Sequence, residues 1–275
     1  MAVVLITGCS SGFGLETAVE MARRGHRVFA TMRDPSRADR LQASLSQAGA
    51  EATVLALDVT VEASVAEAVG AVVAQAGRVD VAVNNAGAAE VAPVEETPVE
   101  VLRALLETNT LGALRVMQAV LPTMRSQGAG HIVNLTSVGA LVAPPFLGAY
   151  AASKHALDGL GEALAIEVAP FGIHVTNVAP GAYETAMART AEAAVDSVPA
   201  SSPYAERWRT MAVTHRAFMA QNPDPGEVAR AVADAVEADP PPARVVVPAS
   251  AAFLVQARTS GPEQVRALLG KAYGV

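Results

Sequence analysis

Short runs of aliphatic and β-branched residues recur along the chain, each followed by a stretch whose apolar positions fall at helical spacing. The first run, AVVLIT, is apolar without alternation, the mark of a strand covered on both faces. RVFATM, TVLALDV, DVAVNNAG, HIVNLTS, IHVTNVAPG and ARVVVP read the same way. Between them lie helical segments with recognisable ends. LETAVEMARRG stops at Gly25, a C-terminal cap. Thr60 is expected to cap the helix after the third strand, with Glu62 in its first turn. Thr97-Pro98-Val99-Glu100 reads as a capping box opening a helix to Arg125 that carries Asn109 midway, and Asp224-Pro225-Gly226-Glu227 repeats that logic. A turn over Asp239–Pro242 precedes the last strand. From about 182 to 222 the rhythm breaks into helical pieces with Ser/Pro interruptions, and this stretch holds Trp208. Seven alternations of strand and helix without a linker predict one α/β domain over 1–275, a doubly wound sheet of seven parallel strands with helices on both faces.

Composition narrows the function. The chain has 275 residues, 51% of them hydrophobic, with few aromatics, which suits helices packed closely on buried strands. A net charge of −7 offers nothing to a polyanion, so no nucleic-acid partner is expected. Cys9 is the one cysteine, which excludes an internal disulfide and fits a reducing compartment. No uninterrupted apolar run reaches the length of a membrane span, and no secretory leader pattern opens the chain. The expectation is a cytoplasmic protein without a metal site.

Candidate chemistry begins at Thr7-Gly8-Cys9-Ser10-Ser11-Gly12-Phe13-Gly14, between the first strand and the first helix. Glycines there allow a tight turn and close approach of a ligand, while the helix N-terminus favours a pyrophosphate. At the end of the second strand, Arg33 precedes Asp34. A guanidinium grips a 2′-phosphate and a carboxylate accepts from ribose hydroxyls, so this order favours NADP and leaves NAD possible. Asp58, closing the third strand, is placed for an adenine amino group with the Val59 backbone beside it. Asn84-Asn85-Ala86-Gly87 ends the fourth strand with small residues over which a nucleotide can lie. Asn109, a poor helix former, suggests a kink or a bound water next to Lys154.

The strongest constellation lies between Asn134 and Lys154. Tyr150 and Lys154 are one helical turn apart, and an ammonium beside a phenol favours the phenolate. Ser137, at a strand end, can present its hydroxyl to the same substrate oxygen.

Taken together, TGCSSGFG, NNAG, Asn109, Ser137, YAASK and Pro180-Gly181 resemble the short-chain dehydrogenase/reductase family, in its non-epimerase branch, from Thr7 to Thr185. The resemblance implies a Rossmann-type fold. It implies that Tyr150 is the proton donor and acceptor, that Lys154 lowers its pKa and holds the nicotinamide ribose, that Ser137 fixes the substrate oxygen, and that Asn109 positions a water in a proton relay. It implies that Gly8, Ser10, Ser11, Gly12, Phe13 and Gly14 surround the phosphates, that Asn85, Ala86 and Gly87 line the cofactor cleft, and that Gly181 and Thr185 sit at the nicotinamide. Within the family, LITGCSSGFG, ATMRDPSR, SVGAL and YAASKHALDGLGEALAIEVAPFGI are similar to the type 1 17β-hydroxysteroid dehydrogenases and related retinol dehydrogenases. The likeness does not extend through 183–221, the substrate-loop region.

The implied reaction is reversible oxidation of an alcohol to a carbonyl. Leu141, Val142, Pro144, Phe146, Leu147, Tyr183, Met187, Trp208 and Phe218 suggest a lipophilic substrate, such as a steroid or retinoid. The contrasting readings are a silent NADP-binding regulator of the same fold and a nucleotide-sugar epimerase; the intact Ser137, Tyr150 and Lys154 argue against the first, and the compact glycine spacing against the second. A homodimer or homotetramer is expected, through the helices that begin near Thr97 and Tyr150. The segment from 250 to 275 either caps the substrate cleft or meets a partner.

Overall fold

The computed structural model describes residues 1–185, 198–199, 201–221 and 224–273, and is built around one seven-stranded sheet with all strands parallel. The strands are β1 (Val3–Ile6), β2 (Arg27–Met32), β3 (Ala52–Ala56), β4 (Val81–Asn84), β5 (Gly130–Leu135), β6 (Ile173–Pro180) and β7 (Arg244–Val247). Their order is β3-β2-β1-β4-β5-β6-β7. The chain winds outward in one direction from β1 to β3, then returns to β4 and winds outward in the other. That reversal leaves a crevice beyond the carboxyl ends of β1 and β4, where a doubly wound sheet binds its ligand.

The aliphatic strands do not alternate because both faces are covered. Val4 and Ile6 of β1 point into one core, and Val3 and Leu5 into the other. The first core is closed by α1 (Gly12–Arg23), α2 (Asp39–Gln47) and α8 (Gly226–Glu237). The second is closed by α3 (Glu62–Ala76), α5 (Gly112–Gln127) and α6 (Gly148–Val168). A third, smaller cluster gathers Val91, Phe146, Val198, Ala205, Trp208, Met211 and Ala212 around α7 (Ala205–Gln221). Beyond β7, α9 (Phe253–Ser260) and α10 (Pro262–Tyr273) follow, and Leu269 of α10 packs on this third cluster. Among the described residues, no helix is long and apolar enough to cross a membrane.

Several predicted helix starts differ in detail. β3 ends at Ala56, and Thr60 does not cap α3. Its backbone N–H and hydroxyl both bond Asp58 Oδ1, at 2.9 and 2.7 Å, in a local turn that competes with the cap. The capping box at Thr97 does not form either. The Thr97 hydroxyl donates to the Pro93 carbonyl at 2.8 Å, Glu100 pairs with Arg103, and α4 (Val99–Leu106) begins after Pro98. Asp224 does accept from Gly226 N at 2.8 Å, but Glu227 turns away to accept from the Tyr183 hydroxyl at 2.7 Å. The long helix expected around Asn109 is α4 and α5 joined by one π-helical turn over Glu107–Leu111. The Gly25 stop is realised, with φ of +84°.

Candidate active site

The crevice at the switch point is a cleft of about 410 Å³. The turn after β1 brings Gly8 to its wall and packs Gly14, which does not line it, behind, and neither has room for a side chain. Gly8 has φ +74°, and a Cβ there would lie 2.9 Å from Ala86 Cα. A Cβ on Gly14 would meet Asn85 Nδ2 at 2.2 Å and the Gly8 carbonyl at 2.4 Å. Gly12, φ +59°, opens α1 after Ser11, whose side chain does not cap the helix. The first-turn N–H groups of α1 are thus left without a side-chain acceptor at this end, as a pyrophosphate site requires. Asn85 anchors the opposing loop, donating to Thr7 O at 2.7 Å and Gly8 O at 3.1 Å. The buried Thr7 hydroxyl accepts from the backbone N–H groups of Asn85 and Ala86, both at 3.0 Å. Thr7 therefore ties β1 to the loop after β4, a role that its position beside Gly8 hinted at and that sequence reasoning left unassigned. Ser10, Ser11, Gly12, Phe13, Ala86 and Gly87 line the same cleft, as do Gly181 and Thr185.

At the outer end, Arg33, Asp58 and Val59 line the wall together with Met32, Leu57 and Arg37. Asp34 does not. Its carboxylate accepts from Ser36 N and Ser36 Oγ, at 3.0 and 2.7 Å, capping a short turn over Pro35–Arg37. That turn swings Arg37 into the cleft, a residue that sequence reasoning missed. Burial works to raise the Asp58 carboxyl, but hydrogen bonds from Thr60 and the charge of Arg33 outweigh it and leave the group below its ordinary range.

At the inner end, Ser137, Tyr150 and Lys154 come together. Ser137 Oγ accepts from Gly139 N at 2.9 Å. Tyr150 is half-buried at the cleft wall. Burial raises its phenol above the usual range, and a hydrogen bond with Ser137 opposes this only in part. Lys154 is buried at 5% exposure and donates to the Leu135 carbonyl at 2.7 Å. Its Nζ lies 6.0 Å from the Tyr150 ring centroid, and burial lowers its pKa to about 8. The expected lowering of the tyrosine pKa by the lysine is therefore absent here: desolvation dominates both groups and pushes each toward its neutral form. Gly87 keeps this corner open, since a Cβ there would come within 3.5 Å of Lys154 Nζ and 3.2 Å of Asn109 Oδ1.

Asn109 sits in the π-helical turn, fully enclosed. Its amide oxygen accepts from Ala88 N at 2.7 Å, and its amide nitrogen donates to Ala88 O and Ser153 Oγ, both at 2.9 Å. Ser153 in turn donates to the Tyr150 carbonyl at 2.7 Å. The side chain thus fastens the loop after β4 to α6, and the π turn supplies the backbone irregularity that low helix propensity foreshadowed.

The apolar residues read as a substrate wall are placed otherwise. Leu141, Val142 and Pro144 are buried, and Phe146 stacks on Trp208 at 6.0 Å and 14° within the third cluster. Tyr183 packs edge-on against Phe13 at 5.7 Å. Phe13 lines the main cleft, whereas Leu141, Val142, Pro144, Phe146, Leu147, Tyr183 and Trp208 do not. Met187 and the side chain of Phe218 lie outside the described residues. Arranged in this way, the cleft presents a proton-bearing phenol, a hydroxyl and a buried amine at one end and two guanidiniums at the other.

A family profile described as short chain dehydrogenase matches residues 2–196. Retinol dehydrogenase 8 of Homo sapiens is 36% identical over 250 residues, 88% of this chain and 79% of that protein. The 17-beta-hydroxysteroid dehydrogenase type 1 of Homo sapiens is 41% identical over 190 residues, 67% of this chain and 57% of that protein. Among solved structures, a variant of actinorhodin polyketide ketoreductase with NADPH superposes with a TM-score of 0.78 at 34% identity, over 90% of this chain and 95% of that one. A xylitol dehydrogenase bound to NAD+ does so with a TM-score of 0.79 at 29% identity, over 90% and 97%. The chain belongs to the short-chain dehydrogenase/reductase family of oxidoreductases.

Proposed function

We propose that this protein interconverts an alcohol and a carbonyl using NADP(H), with Tyr150 as the proton donor and acceptor. The observation that carries this reading is the meeting of Ser137, Tyr150 and Lys154 at one end of a cleft whose other end holds Arg33 and Arg37. When bound, the nicotinamide supplies or accepts the hydride. The residues of the chain handle the oxygen and its proton. Tyr150 carries its proton at neutral pH, as any phenol does, and burial makes it hold that proton more firmly; it can donate to the substrate oxygen during reduction and recover the proton during oxidation. Ser137, held by Gly139 N, fixes that oxygen where negative charge develops. Lys154, with a pKa near 8, exchanges protons readily and holds the ribose side of the site. Asn109 holds the Ala88 loop against α6 with both amide protons and one bond to Oδ1, and the proposed relay water would take the remaining Oδ1 acceptor site or a backbone group of the π turn.

The preference for NADP(H) is supported by Arg33 and Arg37 on the cleft wall and by the engagement of Asp34 with Ser36. Gly8, Gly12, Asn85, Gly87, Gly181 and Thr185 form the cradle in which the phosphates and nicotinamide would sit, with Gly14 packed behind it against Gly8 and Asn85. We take residues 1–275 as one domain with 182–222 as its substrate-loop region. A lipophilic substrate is supported by the retinol and hydroxysteroid relatives rather than by exposed apolar walls. Assembly through α4–α5 and α6 would cover Val99 and Ile166, which are 63% and 80% exposed, and light scattering in solution would measure it.

The test is turnover with a panel of retinoids, steroids and simple ketones, run separately with NADP(H) and NAD(H). Reduction of a bulky apolar carbonyl with NADPH preference is the expected result. Activity confined to small polar carbonyls would discard the lipophilic reading, and NADH preference would discard the role given to Arg33 and Arg37.

A further inference from the structure

One row of polar side chains runs through the aliphatic sheet. Asn84, Asn134 and Asn177 are in register on β4, β5 and β6, and Arg244 is in register with Asn177 on β7. In-register neighbours on parallel strands point to the same face, so four consecutive strands contribute to a single line. Asn84 Nδ2 donates to Asn134 Oδ1 at 2.9 Å, and Asn134 Nδ2 to Asn177 Oδ1 at 3.0 Å. Asn177 Nδ2 donates to both the carbonyl and Oδ1 of Asp158, each at 3.0 Å. Asp158 is 1% exposed and lies on α6, one turn beyond Lys154 and two beyond Tyr150. Arg244 grips its two carboxylate oxygens at 2.7 and 3.0 Å and reaches Glu162, one turn further along the helix, at 2.8 Å.

The direction of the row follows from Asp158. An ionised carboxylate only accepts, so Asn177 must turn its NH2 toward it, which turns the oxygen of Asn177 toward Asn134, and so on to Asn84. All three amide dipoles then point their donors at the buried anion, and each bond polarises the next. Asn84 Oδ1, at the far end, has no hydrogen-bond partner among the described residues. α6 can lie against this row because residue 161 is glycine: a Cβ there would fall 2.2 Å from Asn177 Oδ1 and 2.9 Å from Asn134 Nδ2. A buried carboxylate with a two-pronged guanidinium costs desolvation and is not an obvious source of stability, but it fixes one geometry.

We propose that Asp158 and Arg244 are positioning residues: with the amide row they set the rotation and axial position of α6, and so where Tyr150 and Lys154 stand relative to Ser137 and Leu135. This rests on the reading of Tyr150 as the proton-transfer residue. Neither Asp158 nor Arg244 lines the cleft, so each acts through the helix.

The test compares Asp158→Asn and Arg244→Lys in the full chain. Asp158→Asn removes the anion that orients the row while keeping its shape; Arg244→Lys keeps the pair's charge. The expected result for Asp158→Asn is a fall in kcat of about tenfold or more with KM for the carbonyl little changed, since small displacements of reacting groups cost rate. The pH limb of kcat that reports Tyr150 should move with it, and Arg244→Lys, which keeps the charge but loses the two-pronged grip, should shift both in the same direction by less. Independently of turnover, the tyrosinate absorbance titration of each protein, taken as the difference from its Tyr150→Phe partner, reads the Tyr150 environment directly. A displaced titration in Asp158→Asn supports positioning; an unchanged one, with only a lower melting temperature, overturns it. If Asp158→Asn did not fold, Asn177→Ala would be titrated in its place, a displaced curve again supporting positioning and an unchanged one overturning it. Should the unmodified protein reduce no carbonyl at all, the activity reading would fail while the titration still decided the positioning.

Discussion

The cleft floor and the cluster around α7 are held together by different forces. The turn under the cleft is made of backbone and short polar side chains: Gly8, Gly14, Thr7 and Asn85 interlock through hydrogen bonds of 2.7–3.1 Å and leave no space for a methyl group. The region around α7 is an apolar cluster of its own in which Phe146 stacks on Trp208 and Tyr204 stands edge-on to Phe146 at 6.5 Å. Hydrogen-bonded turns tolerate one geometry, whereas an apolar cluster tolerates many sequences of similar volume.

That division can be broken at either end, beginning where the effect is largest. Tyr150→Phe should reduce turnover by about a thousandfold or more, toward the top of what a lost acid/base group costs, while NADPH affinity measured by fluorescence stays within a few fold. Gly14→Ala should come next. Its Cβ would collide with Asn85 and Gly8, costing about 1–3 kcal/mol of stability as overpacking does, and calorimetry together with cofactor titration should show both melting temperature and NADPH binding fall. Trp208→Ala should act on the other end alone. Loss of the stacked ring costs about 3–5 kcal/mol locally, so limited proteolysis should open the α7 region and KM for the carbonyl should rise, with the cofactor dissociation constant unchanged. Should NADPH binding weaken in parallel, the two ends would not be separable.

The smallest effect sharpens the comparison through stability. Lys154 has its pKa lowered from 10.5 to about 8 by burial. Between these values the unfolded chain binds the proton and the folded chain does not, so stability rises with pH across that window and the deficit is fully present below about pH 8. In the cofactor-free protein, Lys154→Met should therefore raise the melting temperature at neutral pH by a few degrees, flatten its rise between pH 8 and 10.5, and abolish turnover. A lower melting temperature in that variant would contradict the burial assigned to the ammonium.

Much of the architecture was legible because the strands are aliphatic on both faces, and the turn after β1 and the helix around Tyr150 place their functional residues close together in the chain. What escaped was non-local or competitive. Thr60, Thr97 and Glu227 carry the right side chains for their caps, but Asp58, the Pro93 carbonyl and Tyr183 offered them other partners. Arg37 enters the cleft through the turn that Asp34 caps, so Arg33 and Arg37 line the wall while Asp34 is engaged with Ser36. The sign of the Tyr150 shift was missed because proximity in sequence measures charge and not desolvation. Asn84, Asn134 and Asn177 looked like isolated polar residues in aliphatic runs; their alignment exists only in the sheet register.

The most direct test of the account is to measure, on the same preparations of the unmodified protein and Tyr150→Phe, NADPH binding and NADPH-dependent reduction of a retinoid or steroid carbonyl. The account predicts equal binding in both and reduction by the unmodified protein alone. Comparable reduction by Tyr150→Phe would remove Tyr150 from the chemistry and contradict it.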